Sequence, residues 1–175
     1  MGGETINETI VKELRGVGMT EDDLRLINDS LNRYPDCLLD IPYIRIILAG
    51  ARFKRKSEKD IRTFHGEKNS IIENAVEHNL NGLKVNSALT RPDKLVNVLK
   101  SLDYVDSNLA TLKVLSVGPR SESEIFSLIS AGFSPANIRG LDLISYSPFV
   151  DLGDMHNMPY QNAAFDIVIL GWVLA

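Results

Sequence analysis

The stretch LKVLSVGPRSESEIFSLISAGFSPANIRGLDLISYSPFVDLGDMHNMPYQNAAFDIVILGWVLA, residues 112–175, decides the fold. It opens on Val114-Leu115-Ser116-Val117, a short apolar run stopped at Gly118-Pro119. A run of that length, with β-branched residues and a turn signal behind it, reads as a buried strand. Ser121 or Ser123 then caps a helix with Glu122 and Glu124 in its first turn, where carboxylates meet the positive end of the helix dipole. Ile125, Phe126, Leu128 and Ile129 give that helix an apolar face, and Gly132 is placed to end it. A second strand spans Ile138 to Leu143, with Asp142 near its carboxyl end. A third, Phe165 to Leu170, follows a polar loop. Strand, helix, strand is the parallel βαβ unit, with a right-handed crossover. The expected fold class is α/β: a Rossmann-like parallel sheet of three to four strands over residues 111–175, preceded by a mostly helical region over residues 1–110.

Ligands of open parallel sheets sit outside the carboxyl ends of the strands, near the point where strand order reverses. Three features fall at that edge. Gly118 lies in the first strand-to-helix turn, where the lack of a Cβ lets a ligand approach the backbone. Asp142 ends the second strand, where a carboxylate can accept hydrogen bonds from ribose hydroxyls. Asp154-Met155 sits in the loop before the last strand. The arrangement suits a nucleoside-containing ligand, although no G-x-G-x-x-G is present.

VLSVG, GLDL and GDMHNMPYQNAAFDIVILGWVL together resemble the first half of a class I S-adenosylmethionine-dependent methyltransferase. The nearest group is the small-molecule, type 11-like one, in which GD, two or three residues, LPF, a polar turn, SFD and an apolar strand recur. The resemblance covers residues 112–175 and nothing before them. It implies S-adenosylmethionine as cofactor and a small molecule as methyl acceptor. Gly118, with Pro119 and Arg120, would form the methionine-contacting turn. Asp142, with Leu143 beside it, would hold the ribose hydroxyls. Asp154 would accept the adenine amino group next to the Met155 backbone, and Gly171 and Trp172 would line the pocket beside the sulfonium. The implied reaction is direct displacement on the methyl carbon, with the protein aligning the reactants and excluding water. His156 and Tyr146, at the same edge, are the candidate catalytic residues, His156 as a base near neutral pH. Arg120 has competing partners in Glu122 and Glu124.

Three departures from that family stand out. The loop Gly118-Pro119-Arg120-Ser121-Glu122 holds one glycine only. Few residues separate Asp142 from Asp154, so the usual intervening helix is reduced to a turn around Ser145 to Pro148. The sequence stops just after the Phe165 strand. The resemblance therefore implies an incomplete, truncated domain, inactive alone, and either self-associating through the strand ending at Ala175 or completed by another chain. The alternative is a non-catalytic Rossmann-like module that binds a nucleoside or a partner.

The bounds are compatible with either. At 175 residues the chain supports one domain and an appendage. A net charge of −4 argues against nucleic acid as the main partner. Cys37 is the sole cysteine, so no internal disulfide forms and no metal site is nucleated. No run of about 18 apolar residues provides a membrane span. MGGETINETIVKEL lacks a basic start and an apolar core, so it is not a secretory signal, and a cytoplasmic location is expected. Asn7 stands where myristoylation favours a hydroxyl residue.

Before residue 110 the pattern is helical. Ile6, Ile10, Val11 and Leu14 make one stripe. Thr20-Glu21-Asp22-Asp23 is a capping pattern for a helix ending before Pro35. Ile41 to Ala51 reads as a buried helix with Pro42 in its first turn. Arg52 to Asp60 is charged and reads as a solvated face or loop. Ser70 to Leu80 is a helix closed by Asn81-Gly82, Pro92 to Leu102 another, and Asp103 to Ala110 a link. His65 and His78 have no ligand-spaced neighbour.

Overall fold

The computed structural model describes residues 20–65, 70–85 and 91–171. The stripe from Ile6 to Leu14 and the site candidate Trp172 lie outside the described residues. The chain divides into two compact units, parting between Leu38 and Leu39.

In the first unit, helix α1 (Glu21–Arg33) starts at the expected cap. The Asp23 N–H donates to Thr20 Oγ1 at 3.2 Å, and the Thr20 N–H donates back to Asp23 Oδ2 at 2.7 Å. Two orphan donors of the helix end are thereby satisfied. The same Thr20 groups hold the Asp23 carboxyl below the usual carboxylate range.

The second unit holds α2 (Pro42–Lys54), β1 (Arg62–Thr63), α3 (Ser70–Val85), α4 (Arg91–Lys100) and α5 (Asp103–Asn108). These are followed by β2 (Val114–Val117), α6 (Glu122–Ser130), β3 (Ile138–Asp142), β4 (Ile144–Ser145), β5 (Val150–Leu152) and β6 (Ile167–Leu170). Four strands form an all-parallel sheet in the order β5-β3-β2-β6. Val114 pairs with Ile138 on one side and Ile167 on the other, so the Val114 strand lies between the two others read from the sequence. Strand order reverses between β2 and β6. The fold is Rossmann-like α/β, with helices preceding the sheet.

Several boundaries differ from expectation. The last strand begins at Ile167, because the Ala164 and Asp166 backbone groups close the preceding turn and join Lys113. Helix α3 does not stop at Asn81-Gly82 but runs on to Val85. Gly82 lies within the helix beside Arg120, where a Cβ would stand in ordinary contact, 3.4 Å from Arg120 Cδ. The link after Leu102 is the short helix α5. The third strand of the sheet, β5, replaces the crossover helix with a turn. The Gly140 N–H donates to Phe149 O at 2.7 Å as that turn returns to the sheet. The charged stretch after Ala51 ends in β1, which pairs antiparallel with β4.

The two faces of the sheet are covered differently. Val114, Ile138 and Ile169 point into a core with Ile125, Leu128 and Phe133 from the α6 region and Val96 from α4. Leu115, Val117 and Leu141, on the opposite face, are covered by Met155, Tyr160 and Phe165 of the loop before β6. The alternation follows from the two-residue period of a strand. Strand β6, suited by composition to burial on both faces, is half open: Ile169 is buried, while Val168 and Leu170 are 49% and 45% exposed. Among the described residues, only β2 pairs with it.

Buried polar groups tie the helices together. The Arg45 guanidinium of α2 is buried and lies 2.7 Å from Asp93 of α4. It also donates to the Leu39 carbonyl and to Ser130 Oγ of α6. Ser127 Oγ donates to the same Asp93 oxygen at 2.9 Å.

Gly140 offers a direct check of the packing around the turns. A Cβ there would stand 2.9 Å from Pro119 Cγ and 3.0 Å from Val150 Cγ2. Gly140→Ala should therefore destabilise the protein by about 1–3 kcal/mol in urea titration, as overpacking does. An unchanged midpoint would show that Pro119 and Val150 can step aside.

Candidate functional site

A cavity of about 620 Å³ opens at the carboxyl ends of β2 and β3. One wall is the sheet edge: the turn Gly118–Ser121, the start of α6, the β3 end Leu141–Leu143, the loop Gly153–His156, and Gly171. The other is helical, with Ala49, Gly50 and Phe53 of α2 and a long side of α3 that includes Ile72, Ala75, His78 and Leu83.

Gly118 occupies the left-handed region at φ 70°, a conformation strained for any residue with a Cβ. Its N–H donates to Leu141 O at 2.8 Å, which fastens the turn to β3. Pro119 and Arg120 follow in the wall. Arg120 pairs with neither Glu122 nor Glu124, nor with any other acid among the described residues. Its charge acts on Asp142 instead.

Asp142 is 7% exposed. Its Oδ1 accepts the Ile144 N–H at 3.1 Å, while Oδ2 is buried with no hydrogen-bond partner. Burial pushes the carboxyl up to about 6, against the pull of the Ile144 and Leu143 N–H groups and the Arg120 charge. Leu143, next in line, lends its carbonyl to the Phe64 N–H at 2.8 Å. Glu124, in the first turn of α6, accepts a hydrogen bond from Ser116 Oγ of β2. Burial pushes its carboxyl up to about 7, the Ser116 bond opposes the rise, and Asp142 adds to it. Two carboxyl groups with raised affinity for protons thus face one cavity.

Asp154 takes the capping role that its position permits. Its Oδ1 accepts the His156 N–H at 3.0 Å and lies 2.7 Å from His156 Nδ1. These contacts hold its carboxyl below the usual range. Met155 and the exposed His156 sit at the cavity rim. Tyr146 is buried against Phe53, with ring centroids 5.0 Å apart and nearly perpendicular planes. Its hydroxyl accepts the Glu122 N–H at 3.2 Å. Burial pushes that phenol up to about 12, so the hydroxyl stays protonated near neutrality.

The sequence reading placed Gly118, Pro119, Arg120, Asp142, Leu143, Asp154, Met155, Tyr146, His156 and Gly171 at one edge, and all ten line this one cavity. It missed Glu124 as a site residue and missed the helical wall. It also treated Arg52 as solvated, whereas Arg52 Nε lies 2.8 Å from the buried Glu122 carboxylate and the guanidinium sits 5.4 Å over the Phe126 ring. A signal existed for this pairing. Glu122, Phe126 and Ile129 are spaced i, i+4, i+7, which puts the glutamate on the packed face of α6.

The amino end of α6 is already supplied with acceptors. Ser121 Oγ accepts the Ser123 N–H at 3.4 Å, Tyr146 accepts the Glu122 N–H, and two glutamates stand in the first turn. An anion placed there would meet carboxyl groups instead of free N–H donors. Among the described residues, no cluster of three or more His, Cys, Asp or Glu could hold a metal ion. Among the same residues, no helix is long and apolar enough to cross a membrane. No protein-family model, curated protein or solved structure matches the chain.

Proposed function

We propose that the chain binds S-adenosylmethionine at the carboxyl ends of β2 and β3 and directs methyl transfer to a small-molecule acceptor. The observation that carries this reading is Asp142: a buried carboxyl at the end of the strand beside the central one, with one oxygen lacking a partner. A ribose hydroxyl donating to that carboxylate would give Oδ2 a partner, in a group whose burial the Ile144 and Leu143 N–H groups and the Arg120 charge offset only in part. Strand order and the left-handed Gly118 turn support the same location.

The charges around the cavity support this cofactor over a dinucleotide. Pyrophosphate needs a helix amino terminus with free donors, and the α6 terminus presents Glu122 and Glu124. A ligand with an ammonium and a sulfonium suits Glu124, and a ligand carboxylate suits the unpaired Arg120. When bound, the cofactor supplies an electrophilic methyl carbon. The chain's part is to hold the nucleoside at Asp142, orient the amino-acid end between Arg120 and Glu124, and keep water from the methyl group. His156, oriented by Asp154, is then the candidate base, since the Tyr146 hydroxyl is committed to the Glu122 N–H. A module that holds the nucleoside without turnover is the second reading, favoured by the exposure of His156 on the rim.

Calorimetry with S-adenosylhomocysteine, S-adenosylmethionine and NAD tests the proposal. The two sulfur nucleosides should bind and NAD should bind more weakly. Asp142→Ala should weaken S-adenosylhomocysteine by about 1–3 kcal/mol, the cost of an unpaired hydroxyl. NAD binding more tightly, or an unaffected variant, would overturn the assignment.

A further inference from the structure

We propose that the helical side of the cavity, between α2 and α3, is a second subsite that takes an uncharged small molecule with a flat apolar body. On the reading above, on which this role rests, that molecule is the methyl acceptor. The two walls of the cavity differ in charge. Every ionisable lining group of acid or arginine type, namely Arg120, Glu124, Asp142 and Asp154, comes from the sheet edge. Among the described residues, the helical wall contributes no Lys, Arg, Asp or Glu. It offers Phe53, Ile72, Ala75 and Leu83, with Asn79 and His78 as hydrogen-bonding groups.

Arg120 reaches this wall beside Gly82; elsewhere a charged ligand group laid against Phe53 would lose its hydration without gaining a counter-charge from α2 or α3. An apolar body loses nothing there, and its burial is favourable. Phe53 packs edge to face on Tyr146, and the pair forms an aromatic floor. Flat rings pack well on such a floor. Small side chains at Ala49, Gly50 and Ala75 leave the space that larger residues would fill. Asn79 and His78 can bind one heteroatom of the guest. The cavity is of the size that encloses a drug-like ligand.

The test uses the full chain and three probes of one shape: naphthol, naphthoate and naphthylmethylammonium. Calorimetry should show naphthol binding about tenfold or more tightly than either charged analogue, and still binding when S-adenosylhomocysteine is saturating. Ala75→Phe, which fills the space, and Ile72→Asn, which makes the wall polar, should each weaken naphthol about tenfold or more. Both should leave S-adenosylhomocysteine affinity and the melting curve unchanged. Ile72→Asn keeps the test decisive if the larger side chain at position 75 prevents folding. A charged analogue binding as well as naphthol, displacement of naphthol by S-adenosylhomocysteine, or indifference of both variants would overturn the subsite. Naphthol bound without any binding of S-adenosylhomocysteine would overturn the acceptor role together with the nucleoside reading. S-adenosylhomocysteine bound without naphthol would overturn the second subsite alone.

Discussion

Asp142→Asn should make the unliganded protein more stable at pH 8 by about 1–3 kcal/mol and, in the same molecule, weaken S-adenosylhomocysteine binding about tenfold or more. Both effects come from one buried carboxyl. Burial raises it from 3.8 to about 6. Between those values the folded chain keeps a proton that the unfolded chain has lost. Stability therefore falls as the pH rises through that window, and the loss persists above it. Two pK units correspond to about 3 kcal/mol. Asparagine carries no charge to desolvate and keeps an oxygen for the Ile144 N–H. Glu124 acts with the same sign between 4.5 and about 7. The wild type should accordingly lose stability from these two groups between pH 5 and pH 8, and the variant should lose less. The ligand needs the ionised form, so affinity should decline as the pH falls through about 6. Urea titrations at the two pH values, with calorimetry beside them, read all of this. A variant that is less stable at pH 8 would show that the carboxylate is compensated in the folded chain.

Glu122→Ala should cost about 2–4 kcal/mol, the largest loss expected from a polar position. Glu122 is 1% exposed. Its Oε1 accepts Ser147 Oγ at 2.6 Å. Arg52 Nε stands 2.8 Å from Oε2, but out of line for a hydrogen bond, so the contact is one of charge. Removing one partner of a buried pair costs about 3–5 kcal/mol. The Arg52 side chain is 35% exposed and can turn to water, which lowers the figure. The melting temperature should fall by roughly 5–15 °C for a chain of this size. Glu122→Gln, which keeps an acceptor for Ser147, should lose about half as much. A double-mutant cycle with Arg52→Met should return a coupling of about 1–2 kcal/mol. A Glu122→Ala change within about 0.5 kcal/mol would mean that the pair contributes no more than a surface contact.

The strands at 114–117 and 167–170 and the helix between 122 and 130 were legible because their signals are strong and local. Val114–Val117 is apolar but for Ser116, Ile167–Leu170 is a continuous apolar run, Ser121 caps, and Gly132 closes the intervening helix with φ at 110°. Period and turn chemistry suffice for such elements. Strand β5 was not legible, since three residues, Val150-Asp151-Leu152, are too few to establish a period. Its place is set by the register with Gly140 and Leu141, a tertiary pairing that a local pattern does not reveal. The extension of α3 through Gly82 was hidden for a related reason. The glycine reads locally as a stop, but the helix runs on through it with the Arg120 side chain packed alongside. Among the site residues, the sheet edge was legible from strand ends alone. Glu124 was taken for a dipole partner because nothing in the sequence reveals that Ser116 faces it across the turn. The helical wall depends on how α2 and α3 pack, and their apolar stripes fix that they pack without fixing against what.

The most direct test of the account is a crystal structure of the chain with S-adenosylhomocysteine. The ribose hydroxyls should lie within about 3 Å of the Asp142 carboxylate, with the amino-acid end between Arg120 and Glu124 and the space against Phe53 left free. A nucleoside bound elsewhere, or bound with the Asp142 carboxylate still lacking a second partner, would contradict it.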